Sequence, residues 1–307
     1  MTQTLTARLD AHDLSLGINP LGWTNDVIQE FGDNTSVETF LDEAASCGYQ
    51  GVEMGRKFPR EVNVLKPLLG NYGLRLASGW YSGFVAERDV ADELDAVAEH
   101  AELLAACGAR VMVYGECGRM PGSAPLDEPL SKTPSLNGEE WAAYGERLTR
   151  FAEALRSRHG IAIAYHAHLM MLAESEAEID ALMANSGEAV GLLFDTGHVV
   201  AGGGDMSALL QRHGARINHL HLKDIRREVM AHVRSQDASF NQGVRDGMFT
   251  VPGDGYLDFA PVLEFALSPA YRGWLIVEAE QDPQKAPSRQ MAEAAWAHVD
   301  RQLARLG

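Results

Sequence analysis

The feature that most constrains the fold is an alternation of short apolar runs with longer stretches of helical periodicity along the whole chain. Eight apolar runs are candidate strands: Leu14–Ile18, Gly51–Met54, Arg75–Gly79, Arg110–Tyr114, Ile161–His166, Val190–Asp195, Ile217–Leu222 and Leu275–Ala279. Runs such as RVMVY and VGLLF are apolar at nearly every position, which is typical of parallel strands covered on both faces. Eight helical stretches alternate with these runs, and no linker-like or low-complexity segment divides the chain.

Two architectures are compatible with this alternation, an open doubly wound sheet and a closed (β/α)8 barrel. The length of 307 residues, the eight strands and the absence of a GxGxxG motif after the first strand favour the barrel. We therefore predict an α/β fold with a single-domain (β/α)8 TIM barrel over residues 14–307 and an N-terminal extension over residues 1–13. Loop insertions are expected at Gly115–Gly138 after strand four and at Arg226–Asp258 after strand seven, both over the end where the strands finish.

The charge and the cysteines of the chain restrict its partners and its location. With 43 acidic and 26 basic residues the formal net charge is −17, so neither a nucleic acid nor a membrane is expected as a partner. The N-terminus has no apolar core and no apolar run is long enough to span a membrane, so we expect a cytoplasmic protein. Cys47, Cys107 and Cys117 show no CxxC spacing, which argues against a disulfide scaffold or a cysteine-built zinc site.

Polar residues cluster at the carboxyl ends of the candidate strands, where barrels of this kind build their active sites. They are Glu53, Glu116, His166, His168, Asp195, His198, His219, His221, Glu278 and Glu280. Carboxylate and imidazole groups at one mouth suit Mn²⁺, Co²⁺, Mg²⁺ or Zn²⁺. Each residue alone has a plainer interpretation, and Asp195 could simply cap the turn into the next loop. Together, the residues predict a divalent-metal site.

A second set of residues near the strand ends is predicted to contact a substrate. This set is Trp23, Asn25, Glu53, Trp80, Arg226 and Glu280. Trp23 and Trp80 could line the face of a sugar-like ring or could simply pack in the core. Glu280 shares a strand face with Glu278 and could instead hold a ligand histidine in place. Lys223 and Arg226 could reach substrate oxygens or could be solvated loop charges.

Several motifs in the chain resemble those of the xylose isomerase-like sugar isomerase and epimerase barrels. FDTGH at residues 194–198 and HLHLKD at residues 219–224 are shared across that superfamily. PLGWTND at residues 20–26 and VEAEQDP at residues 277–283 are most similar to the inosose dehydratases within it. The similarity runs from about Leu14 to the C-terminal helix.

The resemblance implies a metal held by Asp195, His221 and Glu278, with Mn²⁺ or Co²⁺ as the expected ion. The fourth ligand of the superfamily is a carboxylate, but this chain has His166 at the corresponding strand end. His166 or His168 replaces the carboxylate, or water or substrate completes the metal site. Glutathione is associated with the activity in the family, although we identify no residues here that would bind it.

The resemblance also implies a reaction, the dehydration of 2-keto-myo-inositol to a trihydroxycyclohexane-1,2-dione in inositol catabolism. This reaction removes a proton α to the ketone and then expels a β-hydroxyl group, so it needs a general base and a general acid. We expect Glu278, His198 or His168 to be the base, and Lys223 or another of these histidines to be the acid. Within HLHLKD, His219 is expected to lie deepest and Lys223 to lie on the solvent side.

Two other functions are compatible with the same residues. One is a sugar or polyol ketose epimerase or isomerase, which would return the abstracted proton to carbon instead of releasing water. The other is a barrel that binds polyols without catalysis. The partner in all three cases is a small-molecule polyol or polyol ketone, and association into a homo-oligomer is left open.

Overall fold

Eight parallel strands close into a barrel in the computed structural model of this chain, which describes residues 4–306. The eight barrel strands are β1 (Leu14–Ile18), β2 (Gly51–Met54), β3 (Arg75–Gly83), β4 (Val111–Glu116), β5 (Ala162–His166), β6 (Val190–Asp195), β7 (Ile217–Leu222) and β10 (Gly273–Val277). Two short strands, β8 (Asp224–Ile225) and β9 (Phe249–Thr250), lie between β7 and β10 in the sequence. β8 and β9 form a separate antiparallel pair, and β10 pairs with both β7 and β1 to close the barrel. The predicted TIM barrel is confirmed.

Helices surround the barrel and connect its strands. They are α1 (Leu5–Asp10), α2 (Val37–Ser46), α3 (Val62–Asn71), α4 (Val90–Ala106), α5 (Gly138–His159), α6 (Glu176–Asn185), α7 (Thr196–Ala201), α8 (Met206–His213), α9 (Arg227–Ser235), α10 (Phe240–Asp246), α11 (Ala260–Leu267) and α12 (Ser288–Leu306). Local sequence sets several of these ends. α5 begins with a capping box between Asn137 and Glu140 and ends at Gly160, which adopts a left-handed conformation with φ of 71°. Within residues 4–306, no helix combines the length and the apolar character that crossing a membrane requires.

The N-terminal residues that the structure describes belong to the folded body of the barrel. Leu5 and Leu9 of α1 are buried, and α1 contacts β1 and α12. Arg8 forms an ion pair of 3.2 Å with Asp300 on α12. The buried face of α1 therefore extends the core at the chain's start.

The barrel is filled from both sides of its strands. All six residues of β6 are buried, as its uninterrupted apolar sequence predicts. Side chains such as Leu192 and Phe194 join the large core between strands and helices. Leu193 points the other way and packs with Val113 and Ala164 in a separate cluster.

Two long segments connect β4 to α5 and β7 to α11, and they contact each other. The amide of Leu130 donates to the carbonyl of Ala238 at 3.2 Å, and the Ser131 hydroxyl donates to Asp237 at 2.6 Å. Leu130 is also buried in a hydrophobic cluster that we call the upper core. Its members are Ile28, Phe31, Leu130, Leu169, Met170, Ala201, Ile225, Met230, Val233, Phe240, Val244, Met248 and Phe249. The upper core is distinct from the core beneath the helices, so these connections are packed.

Candidate active site

A cavity of about 790 Å³ lies at the carboxyl ends of the barrel strands. Its polar side chains at the strand ends include Asn19, Glu53, Trp80, His166, His168, His221, Glu278 and Glu280. Residues of the two long connections add apolar lining, including Met120, Leu126, Phe240 and Val244, and Ile28 adds to it from the segment between β1 and α2. A mainly apolar cavity with a cluster of polar groups has the character of a small-molecule site.

Four buried side chains from four strand ends converge beside this cavity. His166 ends β5, Asp195 ends β6, His221 lies in β7 and Glu278 follows β10. Oδ2 of Asp195 is 3.3 Å from Nε2 of His166 and 3.5 Å from Nδ1 of His221. Nδ1 of His221 is also 2.7 Å from Oε2 of Glu278. The sequence prediction named these four residues as metal ligands, and the fold brings all four together.

The His221 ring tests whether these residues fit a metal. Its Nδ1 is buried and, despite the short distance to Glu278, has no hydrogen bond of acceptable geometry within the described part of the chain. Its Nε2 lies 3.2 Å from Glu53, which also accepts from Asn19 at 2.8 Å and contacts His219 Nε2 at 2.8 Å. A carboxylate that binds Nε2–H leaves the lone pair on Nδ1, as metal-binding histidines require. The donor set therefore fits a divalent metal.

The same contacts shift the pKa values of Glu53 and His221 in opposite directions. Burial disfavours charge on Glu53, but the neighbouring His221 and His219 hold its pKa well below the ordinary value. Burial likewise opposes charge on His221, while Glu278 and Glu53 raise its pKa well above the ordinary value. Glu53, predicted as a substrate contact, lines the cavity but makes its hydrogen bonds to Asn19, His219 and His221. Its contact with Nε2 fixes the orientation of the His221 ring.

Asp195 combines both roles that its sequence position suggests. Its Oδ1 accepts the amide of His198 at 2.8 Å and so caps the N-terminus of α7. Its Oδ2 faces His166 and His221. The cap therefore fixes the carboxylate with one oxygen directed to the candidate metal site.

Lys223 is fully buried, so the expectation that it lies on the solvent side is wrong. Its Nζ lies 2.7 Å from Glu278, 2.9 Å from Glu280 and 3.5 Å from Asp195. Burial opposes its charge, yet these three carboxylates raise the pKa of Lys223 above its ordinary value. The misplacement has a physical cause, because α7 covers this side of β7. A Cβ at Gly197 of α7 would lie only 2.6 Å from Cγ of Lys223.

His168 and His198 stack against each other with ring centroids 3.9 Å apart. Nδ1 of His168 is 2.6 Å from the carbonyl of Leu169, so Nδ1 carries the proton and Nε2 carries the lone pair. Nδ1 of His198 instead accepts the amide of Leu169 at 3.3 Å, which leaves the proton on Nε2. Burial, and then the charges of neighbouring histidines and Lys223, lower the pKa of both rings. Of these two histidines, His168 lines the cavity and His198 does not.

His168, His198 and Glu280 are close enough to form a second group of potential metal ligands. In the neutral His198 ring, however, Nε2 carries a proton and cannot bind a metal. Lys223 adds a cation 2.9 Å from Glu280. The first group, around His221, is therefore the better metal site.

Two predicted substrate contacts lie away from the cavity. Trp23 is buried, packs on Phe40 with a centroid distance of 4.9 Å and donates from Nε1 to Glu43 at 2.6 Å. Arg226 donates to the carbonyl of Gly247 at 2.9 Å and pairs with Asp254. Neither residue lines the cavity, so we assign neither to substrate binding.

The other predicted contacts, Asn25, Trp80 and Glu280, line the cavity. Trp80 lies in β3, which continues four residues beyond the predicted strand end, and its ring makes an edge contact with His166 at 5.7 Å.

Several polar residues of the cavity were not predicted, among them Asn19, Asp26, Asp127 and Asn241. Asn19 and Asp26 flank the PLGWTN run just after β1, so the strand-end rule could have found them. Asp127 and Asn241 lie in the long connections, and Nδ2 of Asn241 donates to Asp127 at 2.9 Å. No sequence periodicity marks such positions.

Glu116 ends β4 as predicted but does not line the cavity. Its carboxylate accepts hydrogen bonds from the hydroxyls of Tyr114 and Tyr144 and from the amides of Ala86 and Gly118. Burial raises the pKa of Glu116 to about 7 in spite of these four bonds. Glu116 therefore has a structural role, fixing the backbone after β3 and after β4.

Comparison with known proteins adds relatives that cover most of the chain. A family model described as xylose isomerase-like TIM barrel matches residues 41–299. The chain is 41% identical over 282 residues to the inosose dehydratase of Erwinia tasmaniensis, which covers 91% of this chain and 94% of that protein. It is 45% identical over 296 residues to the rhizopine catabolism protein MocC of Rhizobium meliloti, covering 96% of this chain and 90% of that protein.

Solved structures share the fold at low sequence identity. One is described as the IOLI protein with a binding zinc atom, with a TM-score of 0.68, 16% identity and coverage of 95% of this chain and 98% of that chain. Another is D-allulose 3-epimerase from Methylomonas sp. in complex with D-allulose, with a TM-score of 0.64, 20% identity and coverage of 95% and 98%.

Proposed function

Because this chain belongs to the xylose isomerase-like TIM barrel family and is similar to inosose dehydratases over most of its length, we propose that it is a hydro-lyase that dehydrates inosose. The observation that carries this proposal at the site is the buried Nδ1 of His221, which faces the carboxylates of Asp195 and Glu278. The substrate is the small molecule 2-keto-myo-inositol, the product is a trihydroxycyclohexane-1,2-dione, and the reaction serves inositol catabolism in the cytoplasm.

Charge around Lys223 supports a divalent ion. Asp195, Glu278 and Glu280 surround the single ammonium group of Lys223, so carboxylates outnumber this cation three to one. Buried carboxylates need such compensation, because an unpaired buried charge is costly. Asp195, His221, Glu278 and His166 would hold the ion, which we propose to be Mn²⁺ or Co²⁺. When bound, it supplies a Lewis acid that polarises the substrate ketone.

The hydrogen bonds of His168 and His198, and their positions relative to the cavity, indicate which residue is the general base. Nε2 of His168 carries a lone pair, and His168 lines the cavity, so it can accept the α-proton of a bound ketone. Glu278 is held between His221 and Lys223, and His198 does not line the cavity. His168 therefore acts as the general base, and Glu278 positions the cation and Lys223.

The charge of the cavity supports a neutral substrate. Its carboxyl-bearing lining residues are Asp26, Glu53, Glu87, Asp127, Glu278 and Glu280. Among the described residues, the lining contains one arginine, Arg119, and no lysine. A phosphate or carboxylate substrate would be repelled, whereas a polyol can donate its hydroxyls to carboxylate oxygens.

Activity with a defined metal tests the proposal. Purified protein with 2-keto-myo-inositol and Mn²⁺ or Co²⁺ should produce the absorbance of the dione, and a chelator should stop it. His221→Ala should lose both bound metal and activity. His213→Ala is a matched control, because His213 lies on α8 and pairs with Asp180 instead. A stereoisomer of the substrate without dione would indicate an epimerase, and no product with any divalent metal would refute catalysis of either kind.

A further inference from the structure

Asp26 is a cavity-lining carboxyl group that the mechanism above leaves without a role. It lies between β1 and α2. Its Oδ1 accepts the backbone amide of Arg56 at 3.3 Å. No hydrogen bond to Oδ2 is found among residues 4–306, so this second oxygen remains free to contact a molecule in the cavity.

The backbone around Asp26 is held firmly. Oδ1 of Asn25 accepts the amides of Val27 and Ile28 at 2.8 and 2.7 Å, which forms a turn with Asp26 inside it. The Arg56 side chain donates to the carbonyl of Asn25 at 2.9 Å. The position of the carboxyl group is thus fixed before any substrate binds.

The surroundings of Asp26 raise its pKa above the ordinary value of an aspartate. Burial raises its pKa, and the charge of Glu278 acts in the same direction. The amide of Arg56 and the charges of Arg56 and Arg60 oppose this increase without cancelling it. Glu278 and Glu53 differ from Asp26, because each contacts His221, which lowers the pKa of the carboxyl group.

Other candidates for the acid are excluded by their contacts. Lys223 is enclosed by Asp195, Glu278 and Glu280 and does not line the cavity. His198 also lies outside the lining. A general acid must come within hydrogen-bond reach of the oxygen that it protonates, and Asp26 has a free oxygen in the cavity.

We propose that Asp26 is the general acid that protonates the leaving hydroxyl group, an inference that rests on the proposed dehydration. His168 removes the α-proton, and the electron pair of the C–H bond forms the enolate. The enolate then expels the β-hydroxyl: the C–O pair goes to oxygen, which takes the Asp26 proton and departs as water. The elimination leaves the enol of the dione, which tautomerises to the dione by moving its hydroxyl proton to carbon. His168 releases the α-proton to solvent and Asp26 regains a proton from solvent, so atoms and charge balance.

The test separates loss of water from removal of the α-proton. Asp26→Asn keeps the side-chain shape but cannot donate a carboxyl proton. It should lower kcat for dehydration by about 10²- to 10⁴-fold. It should retain exchange of the α-hydrogen with deuterium in D₂O, followed by NMR. A substrate analogue with fluoride at the leaving position needs no proton, so its elimination should stay near the wild-type rate.

Two variants keep the test interpretable. Asp26→Glu should restore part of the activity and the fall in rate at high pH that a general acid produces. Asp33→Asn is a control in the same segment, since Asp33 is exposed and pairs with Arg56 and Lys57. It should resemble wild type.

Three results would overturn the assignment of Asp26. One is wild-type dehydration by Asp26→Asn, and another is equal loss of dehydration, exchange and fluoride elimination. The third is a wild-type enzyme that neither exchanges nor dehydrates, which would remove the proposed function as well.

Discussion

Replacing Lys223 with methionine would remove a buried cation while keeping a side chain of similar length. Lys223 is fully buried, and its Nζ contacts Glu278 at 2.7 Å and Glu280 at 2.9 Å. Removing one partner of a buried ion pair leaves the other charge uncompensated and lowers the free energy of unfolding by about 3–5 kcal/mol. We expect the metal-free variant to lose a free energy of unfolding of this size.

The metal dependence of this loss makes the prediction specific. In the variant, a bound dication would be the main compensation for Asp195, Glu278 and Glu280. Mn²⁺ should therefore raise the stability of Lys223→Met more than that of wild type. Urea unfolding with and without Mn²⁺ measures both quantities.

A matched control separates burial from charge. Lys285 is exposed and donates to the carbonyl of Arg245, so Lys285→Met should change stability by less than about 0.5 kcal/mol. The reasoning would be refuted if Lys223→Met cost no more than this control, since the three carboxylates would then not need the ammonium group. Adding Glu280→Gln to Lys223→Met should recover part of the loss, because it removes one of the stranded charges.

Two further predictions concern carboxyl groups behind the site. Glu53→Gln should weaken Mn²⁺ binding by about 10- to 100-fold in calorimetric titration, because Glu53 orients His221; unchanged affinity would contradict this role. Burial raises the pKa of Glu116 to about 7 from 4.5, so its contribution to stability is complete below pH 4.5 and is lost as pH rises through about 7. This loss is roughly 3 kcal/mol, and Glu116→Gln should abolish it in urea unfolding at about pH 5 and about pH 8; an equal slope in both proteins would contradict it.

The barrel could be predicted because burial on both faces makes the strand sequences apolar at nearly every position. β6 is buried on both faces, so its sequence VGLLFD is apolar until the carboxylate at its end. Alternation along β7 also correctly placed His219, His221 and Lys223 on one face.

Depth along the strand was less predictable. Alternation fixes the face of Lys223 but does not reveal that α7 covers it, because that contact is between Gly197 and Lys223 in different elements. The sequence left Trp23 open between a ring contact and core packing for a related reason. Its partners Phe40 and Glu43 lie on α2, and sequence position after a strand does not tell which way a ring turns. Asn241 and Asp127 meet only through the tertiary structure.

The separation of the upper core from the barrel core has a consequence for how such a protein can diversify. Phe240 and Val244 pack in the upper core and also line the cavity, whereas His166 and Glu278 stand on barrel strands or directly after them. Exchanging apolar side chains in the connections would reshape the entrance while His166 and Glu278 keep their positions on the barrel. If these two residues act as proposed, selectivity and chemistry would be carried by different parts of one chain, and a new ring substituent could be accommodated without changing the barrel strands.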